Sequence, residues 1–270
     1  MNMARSLGWA LGIGVLSACT TTTVTNSAGD VVTKGPERTV ARAGEADART
    51  RARARADLAA GYYRTGQIAI ALEEARRATT IDPAFAEAYG LLGLIYMDMN
   101  DRREAEENFQ RALRLDPASS ELANNYGWFL CQTGRERESV EYFDRALRDP
   151  LYATPGRAAQ NAGACLMKVK DYPGAERYLR RSFELDAANG ATKYQLSRTY
   201  LAMGQVDRAT FYYNLLARSV ASTPETLWLG LRIARANGDA RTESQLANEL
   251  RERFPRSPEV SALARGDFNE

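Results

Sequence analysis

After residue 50, small and large apolar side chains recur in the same order at a spacing of 34 residues. The first copy runs from Leu58 to Asp82-Pro83, and the second runs from Leu92 to Asp116-Pro117. Within each copy the apolar residues recur at three- and four-residue intervals, which predicts helices. Each copy ends where proline, which lacks an N–H and clashes with the preceding turn, stops a helix. We therefore predict a pair of helices in each copy.

The two helices of a pair are predicted to cross closely. Small residues such as Gly93, Ala105 and Ala112 permit the approach, and Tyr96 and Phe109 fill the space around it. A constant period of this length is typical of tetratricopeptide (TPR) repeats, whereas an irregular helical bundle needs no period. The predicted fold is all-α, a right-handed superhelical solenoid of about six helix-turn-helix TPR repeats, which presents an extended groove to partners.

The later repeats are recognised mainly by where their helices end. The third ends at Asp149-Pro150, and the fourth, whose start is displaced by about two residues, ends at Leu185-Asp186. The sixth turns at Asn237-Gly238 and closes near Phe254-Pro255. It has lost most of the small residues, as is typical of a terminal capping repeat.

Residues 1–18 have the proportions of a secretory signal peptide, with one positive charge at Arg5 and an apolar run too short to span a bilayer. The segment ends Leu16-Ser-Ala-Cys19, which resembles the bacterial lipobox. That resemblance implies lipidation of Cys19, and Thr20 after it resembles the outer-membrane class of lipoproteins. We therefore expect an outer-membrane location on the periplasmic face. An ordinary cleaved signal with a chance cysteine is the alternative.

Residues 19–44 lack apolar periodicity and are predicted to be a lipidated cysteine followed by a flexible tether. Helix is predicted to begin near Glu45, so that residues 45–270 form the TPR domain. Basic residues at 49, 51, 53 and 55 are interpreted as a solvated helix face rather than a contact with an anionic surface.

Composition argues against an enzyme. The chain has no histidine, which removes the common catalytic triads and the commonest metal ligand. It contains no phosphate-binding glycine loop. Without residues 1–18, 35 basic residues face 34 acidic ones, because the formal excess of +2 loses Arg5. A net charge this small gives no case for nucleic-acid binding, and no cofactor or metal is predicted.

Cys131 and Cys165 both fall on predicted first helices, of repeats three and four. An exported protein meets oxidising conditions, so a disulfide between neighbouring repeats is one reading. It requires Cα atoms within about 7 Å. Buried free cysteines are the preferred reading.

The middle of the chain carries a more specific resemblance. It reads Asn124-Asn-Tyr-Gly-Trp-Phe-Leu130, then Leu151-Tyr152 and Asn161-Ala-Gly163, and later Leu227-Trp-Leu-Gly-Leu-Arg-Ile-Ala234. These strings resemble the type IV pilus pilotin family called PilF or PilW, over nearly the whole chain after the signal. The resemblance implies a lipoprotein that binds secretin subunits and assists their delivery or assembly in the outer membrane. A monomer is expected.

In TPR units the first helices line the concave face, and counting along each unit predicts which side chains face a partner. Apolar and amide groups mix there, which suits an extended or helical peptide. The predicted partner-binding residues are Tyr63, Arg64, Leu94, Met97, Asn124, Trp128, Gln132, Gln160, Met167, Tyr194 and Arg198. Trp128 and Met167 could equally be core. The aromatic residues assigned to the core are Phe109, Tyr126, Phe129 and Phe143.

The fold alone does not name the partner. The resemblance favours a pilotin-type assembly factor. The alternative is a TPR adaptor lipoprotein of another envelope machine, for outer-membrane barrel assembly or cell-wall enzyme regulation.

Overall fold

The computed structural model describes residues 23–25, 31–33 and 37–268. The chain divides into two compact units, residues 1–50 and residues 51–270. The described part contains thirteen helices and two short strands. The predicted signal segment 1–18 and the predicted lipidation site Cys19 lie outside the described residues.

In the first unit, β1 (Thr23–Thr25) and β2 (Val31–Thr33) pair antiparallel, with Val24 opposite Val32. Helix α1 (Glu37–Arg64) also begins there. The prediction that helix starts near Glu45 is therefore wrong. The prediction rested on the lack of apolar periodicity before residue 45, but a helix can extend through such a segment, since one glycine within it is tolerated at about 1 kcal/mol. The flexibility of the tether stays a prediction.

The second unit consists of consecutive helical hairpins, and the predicted TPR solenoid is confirmed. The C-terminal part of α1 forms the first hairpin with α2, and five further pairs and a last helix follow. Their bounds are α2 (Ile68–Ile81), α3 (Ala86–Asp98), α4 (Arg102–Leu115), α5 (Ser120–Gln132), α6 (Glu136–Leu147), α7 (Pro155–Lys168), α8 (Tyr172–Leu185), α9 (Gly190–Ala202), α10 (Val206–Ala217), α11 (Pro224–Ala236), α12 (Ala240–Arg253) and α13 (Pro258–Arg265). Helix α13 lies beyond the predicted close of the sixth repeat.

The turn inside each hairpin shows the period directly. One residue per turn has the left-handed conformation, with φ between 58° and 88°. These residues are Gly66, Asn100, Gly134, Lys170, Gly204 and Gly238. They are 34 residues apart, except for 36 between Gly134 and Lys170. The predicted two-residue displacement of the fourth repeat is thus confirmed.

Aspartates mark the ends of the second helices. Asp82 follows α2, and its Oδ1 accepts a hydrogen bond from the backbone N–H of Ala84 at 2.9 Å. Asp116 does the same after α4, with Ala118 at 3.1 Å. The side-chain bond holds the chain in a turn, and the adjoining proline cannot continue the helix. The predicted ends of the repeats are confirmed at these positions.

The core follows the predicted small-to-large pairing. Gly93 packs so close to Phe109 that a Cβ at this position would lie 2.7 Å from the ring. Ala105 is completely buried beside them. Phe109, Tyr126, Phe129 and Phe143 are at most 3% exposed, which confirms their assignment to the core. Such contacts fix the crossing of first and second helices in each repeat.

Cys131 and Cys165 form a disulfide, with Cα atoms 5.8 Å apart. The preferred interpretation as free cysteines is therefore wrong. Cys131 and Cys165 stand three and five residues before the turn residues of their repeats, the same offsets as Met167 and Thr199, which are bonded across the next junction. The pairing follows from how neighbouring first helices stack, and no pattern within one repeat reveals that stacking.

Among the residues that the structure describes, none of the helices combines the length and apolar character that crossing a membrane requires.

Candidate partner-binding groove

The first helices of successive repeats line two clefts in the second unit. The larger cleft, of about 330 Å³, lies among α1, α3 and α5. The smaller, of about 230 Å³, lies between α5 and α7. Together we call these two clefts the groove. The larger cleft is lined by Arg53, Ala56, Asp57, Ala60, Phe85, Glu87, Gly90, Leu91, Leu94, Ser119, Glu121, Leu122 and Asn125.

The larger cleft has an apolar base with charges around it. Phe85 and Leu122 are buried, and Leu94 is partly buried against the core. The guanidinium carbon of Arg53 lies 5.8 Å from the centre of the Phe85 ring. An apolar floor beneath a charged rim suits an apolar side chain that approaches with its polar backbone outward.

The smaller cleft is built around side-chain amides. Asn161 Nδ2 donates to Asn124 Oδ1 at 3.0 Å, and Asn124 Nδ2 donates to Asn125 Oδ1 at 3.2 Å. Asn124 is only 1% exposed, so the hydrogen bonds keep its buried polar atoms satisfied. Trp128 and Arg157 complete the lining. Amide groups beside an indole can bind both the backbone and an apolar side chain of a peptide.

An ion pair stands at the rim of the smaller cleft. Arg157 pairs with Glu121, and the Tyr152 hydroxyl donates to Glu121 Oε2 at 3.3 Å. Burial raises the pKa of Tyr152, so its hydroxyl keeps its proton and remains a donor. These contacts join α5 to the loop before α7 and hold Arg157 beside the amides.

Of the predicted residues, Leu94 lines the larger cleft, and Asn124 and Trp128 line the smaller one. Trp128 also packs partly buried against the core, and its contact with a partner stays a prediction. The remaining eight lie outside these two clefts. They are Tyr63, Arg64, Met97, Gln132, Gln160, Met167, Tyr194 and Arg198.

At the N-terminal end, Tyr63 and Met97 are partly buried against the core. Burial raises the pKa of Tyr63, and its hydrogen bond to Asp98 raises it further. Arg64, the last residue of α1, is exposed. The bond between Tyr63 and Asp98 ties the first two repeats together at the ends of their first helices.

At the middle of the predicted line, polar bonds link neighbouring repeats. Lys168 Nζ donates to Gln132 Oε1 at 2.9 Å and to the backbone oxygen of Cys131 at 3.3 Å. The Thr199 hydroxyl donates to Met167 Sδ at 3.0 Å. Met167 also packs against the core, which leaves it half-buried.

Further along, Gln160 Oε1 accepts a hydrogen bond from Asn189 Nδ2 at 2.9 Å. Asn189 at the same time caps α9, because its Oδ1 accepts from the backbone N–H of Thr192. The guanidinium of Arg198 lies 5.6 Å from the ring centre of Tyr194, which packs against the core. The bond of Gln160 joins neighbouring repeats, whereas the contact between Arg198 and Tyr194 lies within α9. The role of these residues toward a partner stays a prediction.

Sequence reasoning missed most of the residues that line the two clefts. Three of the missed residues follow one rule, since Leu91, Asn125 and Asn161 each stand two residues before the glycine of their repeat. That register was available in the sequence. In the described ranges, no three metal-ligating side chains come together.

The hairpins and the groove define a TPR protein-binding scaffold. Two tetratricopeptide-repeat family models match the chain, one over residues 91–158 and the other over residues 166–231. These matches fall on α3 to α7 and α7 to α11, which include the groove helices α3, α5 and α7 but not α1.

Comparison with individual proteins shows which kind of TPR protein the chain resembles. The crystal structure of PilW, described as a widely conserved type IV pilus biogenesis factor, superposes with a TM-score of 0.75 at 33% identity, over 79% of this chain and 98% of PilW. The structure of Pseudomonas aeruginosa PilF superposes with a TM-score of 0.74 at 26% identity, over 83% and 99%. In sequence, the type IV pilus assembly protein PilF of P. aeruginosa is 27% identical over 202 residues, 75% of this chain and 80% of PilF. The chain belongs to the PilF/PilW family of TPR proteins of type IV pilus biogenesis.

Proposed function

We propose that this protein is an outer-membrane lipoprotein that binds secretin subunits and promotes their localisation and assembly for type IV pilus biogenesis. The observation that carries the proposal is membership of the PilF/PilW family over 98% of the length of PilW. No catalytic step is assigned to the protein. Its chemistry is that of holding another polypeptide.

The groove supports a peptide ligand. The apolar cleft at Phe85 and Leu122 suits one or two apolar side chains of a secretin segment. The amide cleft at Asn124 and Asn161 suits the polar backbone of the same segment. Both clefts are lined by Asn125 of helix α5, so one peptide segment can lie along both of them.

The anchor is proposed from sequence. Lipid attached at Cys19 supplies more than one acyl chain, and each buried CH₂ contributes about 0.8 kcal/mol, so several chains hold a protein at a membrane where one does not. The anchor brings the TPR domain to the periplasmic face of the outer membrane, where a secretin ring assembles.

Affinity capture tests the partner. The full chain with a C-terminal tag is recovered from detergent-solubilised envelope, and the bound proteins are identified. Secretin as the enriched partner supports the proposal. Recovery of barrel-assembly or murein proteins in its place contradicts it and favours an adaptor for another envelope machine.

Fractionation tests the anchor separately. Cys19→Ala should leave the protein folded but release it from the outer-membrane fraction into the soluble periplasm. Thr22→Ala, which leaves Cys19 and the Cys131–Cys165 disulfide intact, is the control and should remain with the membrane. A Cys19→Ala protein that still sediments with the outer membrane would show that lipid is not the tether.

A further inference from the structure

The C-terminal end of the chain places an aromatic side chain on the last repeat. The ring of Phe268 stacks on Trp228 of α11, with centroids 5.4 Å apart and planes 9° apart. Arg235 stands seven residues, about two helical turns, after Trp228 on α11. Its guanidinium carbon lies 4.0 Å from the centre of the Phe268 ring. Phe268 therefore contacts both an indole and a cation, two groups that attract an aromatic ring.

Trp228 occupies the groove register of its repeat. It stands ten residues before the left-handed turn residue of its repeat, as Gly90 and Asn124 do in theirs. Gly90 lines the larger cleft and Asn124 lines the smaller one. By this register, Trp228 belongs to the same face of the solenoid as the groove, two repeats beyond α7.

The tail reaches Trp228 through a defined turn. Helix α13 ends at Gly266, whose φ of 66° is left-handed and suits glycine. The backbone N–H of Asp267 then donates to the oxygen of Ala262 at 3.0 Å. The turn directs Phe268 back onto α11.

The contact is superficial rather than part of a core. Helix α13 has no buried residue, Phe268 and Trp228 are only partly buried, and Arg235 is exposed. A packed terminal helix would bury apolar side chains against α12. Here the principal aromatic contact of the tail is the stacking of the Phe268 ring on the indole of Trp228.

We propose that Trp228 and Arg235 form a binding site for an aromatic side chain of a peptide partner, and that Phe268 occupies this site in cis. The site lies outside the two clefts of the proposed secretin groove and does not rest on secretin as the ligand. A partner segment with a phenylalanine or tyrosine displaces the tail and stacks on Trp228 in its place.

The test uses the full chain and a synthetic peptide of residues 263–270, Leu-Ala-Arg-Gly-Asp-Phe-Asn-Glu. The indole N–H resonance of Trp228, assigned by its loss in Trp228→Phe, is followed by NMR. In Phe268→Ala this resonance should move from its wild-type position, and the added peptide should return it. A peptide with alanine in place of phenylalanine should bind about 2- to 10-fold more weakly, the range for one aromatic pair.

Wild type should bind the same peptide more weakly than Phe268→Ala, because its own tail competes for the site at a local concentration in the millimolar range. Phe268→Leu keeps an apolar side chain, and its affinity for the peptide should lie between those of wild type and Phe268→Ala. This variant controls for misfolding of the alanine variant. Circular dichroism confirms the fold of each. Equal binding of the two peptides, no binding up to millimolar peptide, or equal binding by wild type and Phe268→Ala would each overturn the proposal.

Discussion

Cys131 on α5 and Cys165 on α7 are joined by a disulfide across the third and fourth repeats, with their Cα atoms 5.8 Å apart. The bond spans the place where the turn-to-turn spacing lengthens from 34 to 36 residues. In a solenoid each repeat contacts only its neighbours, so a junction with an altered period is a weak point in the stack. The disulfide stabilises that junction beside the amide cleft.

Reduction of the disulfide should therefore destabilise the second unit. Closing a loop over a sequence separation of 34 residues constrains the unfolded chain, and removal of such a bond lowers the free energy of unfolding by about 2–4 kcal/mol. Urea unfolding with and without dithiothreitol measures the change. The double variant Cys131→Ala, Cys165→Ala should have the same urea midpoint as the reduced wild type, and dithiothreitol should not change that midpoint. Identical midpoints for oxidised and reduced wild type would contradict this.

Close helix crossings predict how the chain responds to larger side chains. A Cβ at Gly127 would lie 3.0 Å from the Phe143 ring, so Gly127→Leu should lower the free energy of unfolding by about 1–3 kcal/mol through overpacking. Gly61, also within a helix, has no atom within 4 Å of an added Cβ. Gly61→Ala should raise stability by up to about 1 kcal/mol. Thermal melts that rank the two variants the other way would refute the repeat register.

The left-handed turn residues make a second stability prediction. Lys170 has φ of 59°, at a turn position that glycine occupies in four other repeats. A residue with a Cβ atom is less stable in the left-handed conformation by about 1–2 kcal/mol. Glycine avoids this cost, but ordering its more flexible backbone offsets part of the gain. Lys170→Gly should therefore raise the free energy of unfolding by about 0.5–1 kcal/mol. Gly204→Ala, at φ of 70°, should lower it. Chemical denaturation of both variants and of wild type measures these changes in the free energy of unfolding.

Glu106 links α4 to the following repeat and should make stability depend on acid pH. It accepts hydrogen bonds from Arg135 Nη1 at 2.6 Å and from the Tyr126 hydroxyl at 3.1 Å. Burial raises the pKa of Glu106, but the bonds from Arg135 and Tyr126 outweigh it and lower the pKa below 4.5. The lowered pKa means that its stabilising contribution is present above the unfolded value and is lost as pH falls through the folded one.

Wild type should accordingly lose more stability than Glu106→Gln when the pH is lowered below about 4.5, the value of an unperturbed glutamate. Urea midpoints between pH 6 and pH 3 measure the difference. Glu107→Gln, on the exposed neighbour, is the control and should follow wild type. Parallel curves for Glu106→Gln and wild type would show that the pair with Arg135 contributes nothing.

The fold could be predicted because its signals are local and repeated. Proline and aspartate stop the second helices at Asp82 and Asp116, and glycine fixes the crossing at Gly93. Each signal recurs at one period, so that errors at a single position do not change the assignment. The start of α1 at Glu37 was missed because no such repeated signal precedes the first hairpin.

The candidate site was predicted only in part. Asn124 and Trp128 line a cleft as expected, but Arg157 is placed there by the loop that carries the two-residue insertion. The disulfide joins positions on the neighbouring first helices α5 and α7 that no pattern within one repeat brings together. Contacts between repeats therefore need the structure, whereas contacts within a repeat can be predicted from sequence.

The groove gives the last prediction, which concerns partner binding. Trp128 lines the amide cleft, and truncating a partly buried aromatic anchor weakens binding by about 2 kcal/mol or more, over tenfold in affinity. Trp128→Ala should therefore reduce secretin capture and the amount of assembled multimers. Phe211→Ala is the matched aromatic control, because Phe211 is 57% exposed on the second helix α10, outside both clefts. Its capture of secretin should equal that of wild type.

Trp128 also packs against the core, so a variant must be shown to fold before a loss of binding is interpreted. Circular dichroism and a cooperative melt provide that control, and Trp128→Phe, which keeps most of the buried ring, should retain more binding than Trp128→Ala. Met97 stands one repeat earlier on the predicted line. A folded Trp128→Ala, Met97→Ala double variant that captures secretin as tightly as wild type would exclude the first helices as the contact. The search would then move to the second helices, beginning with the surface around Phe211.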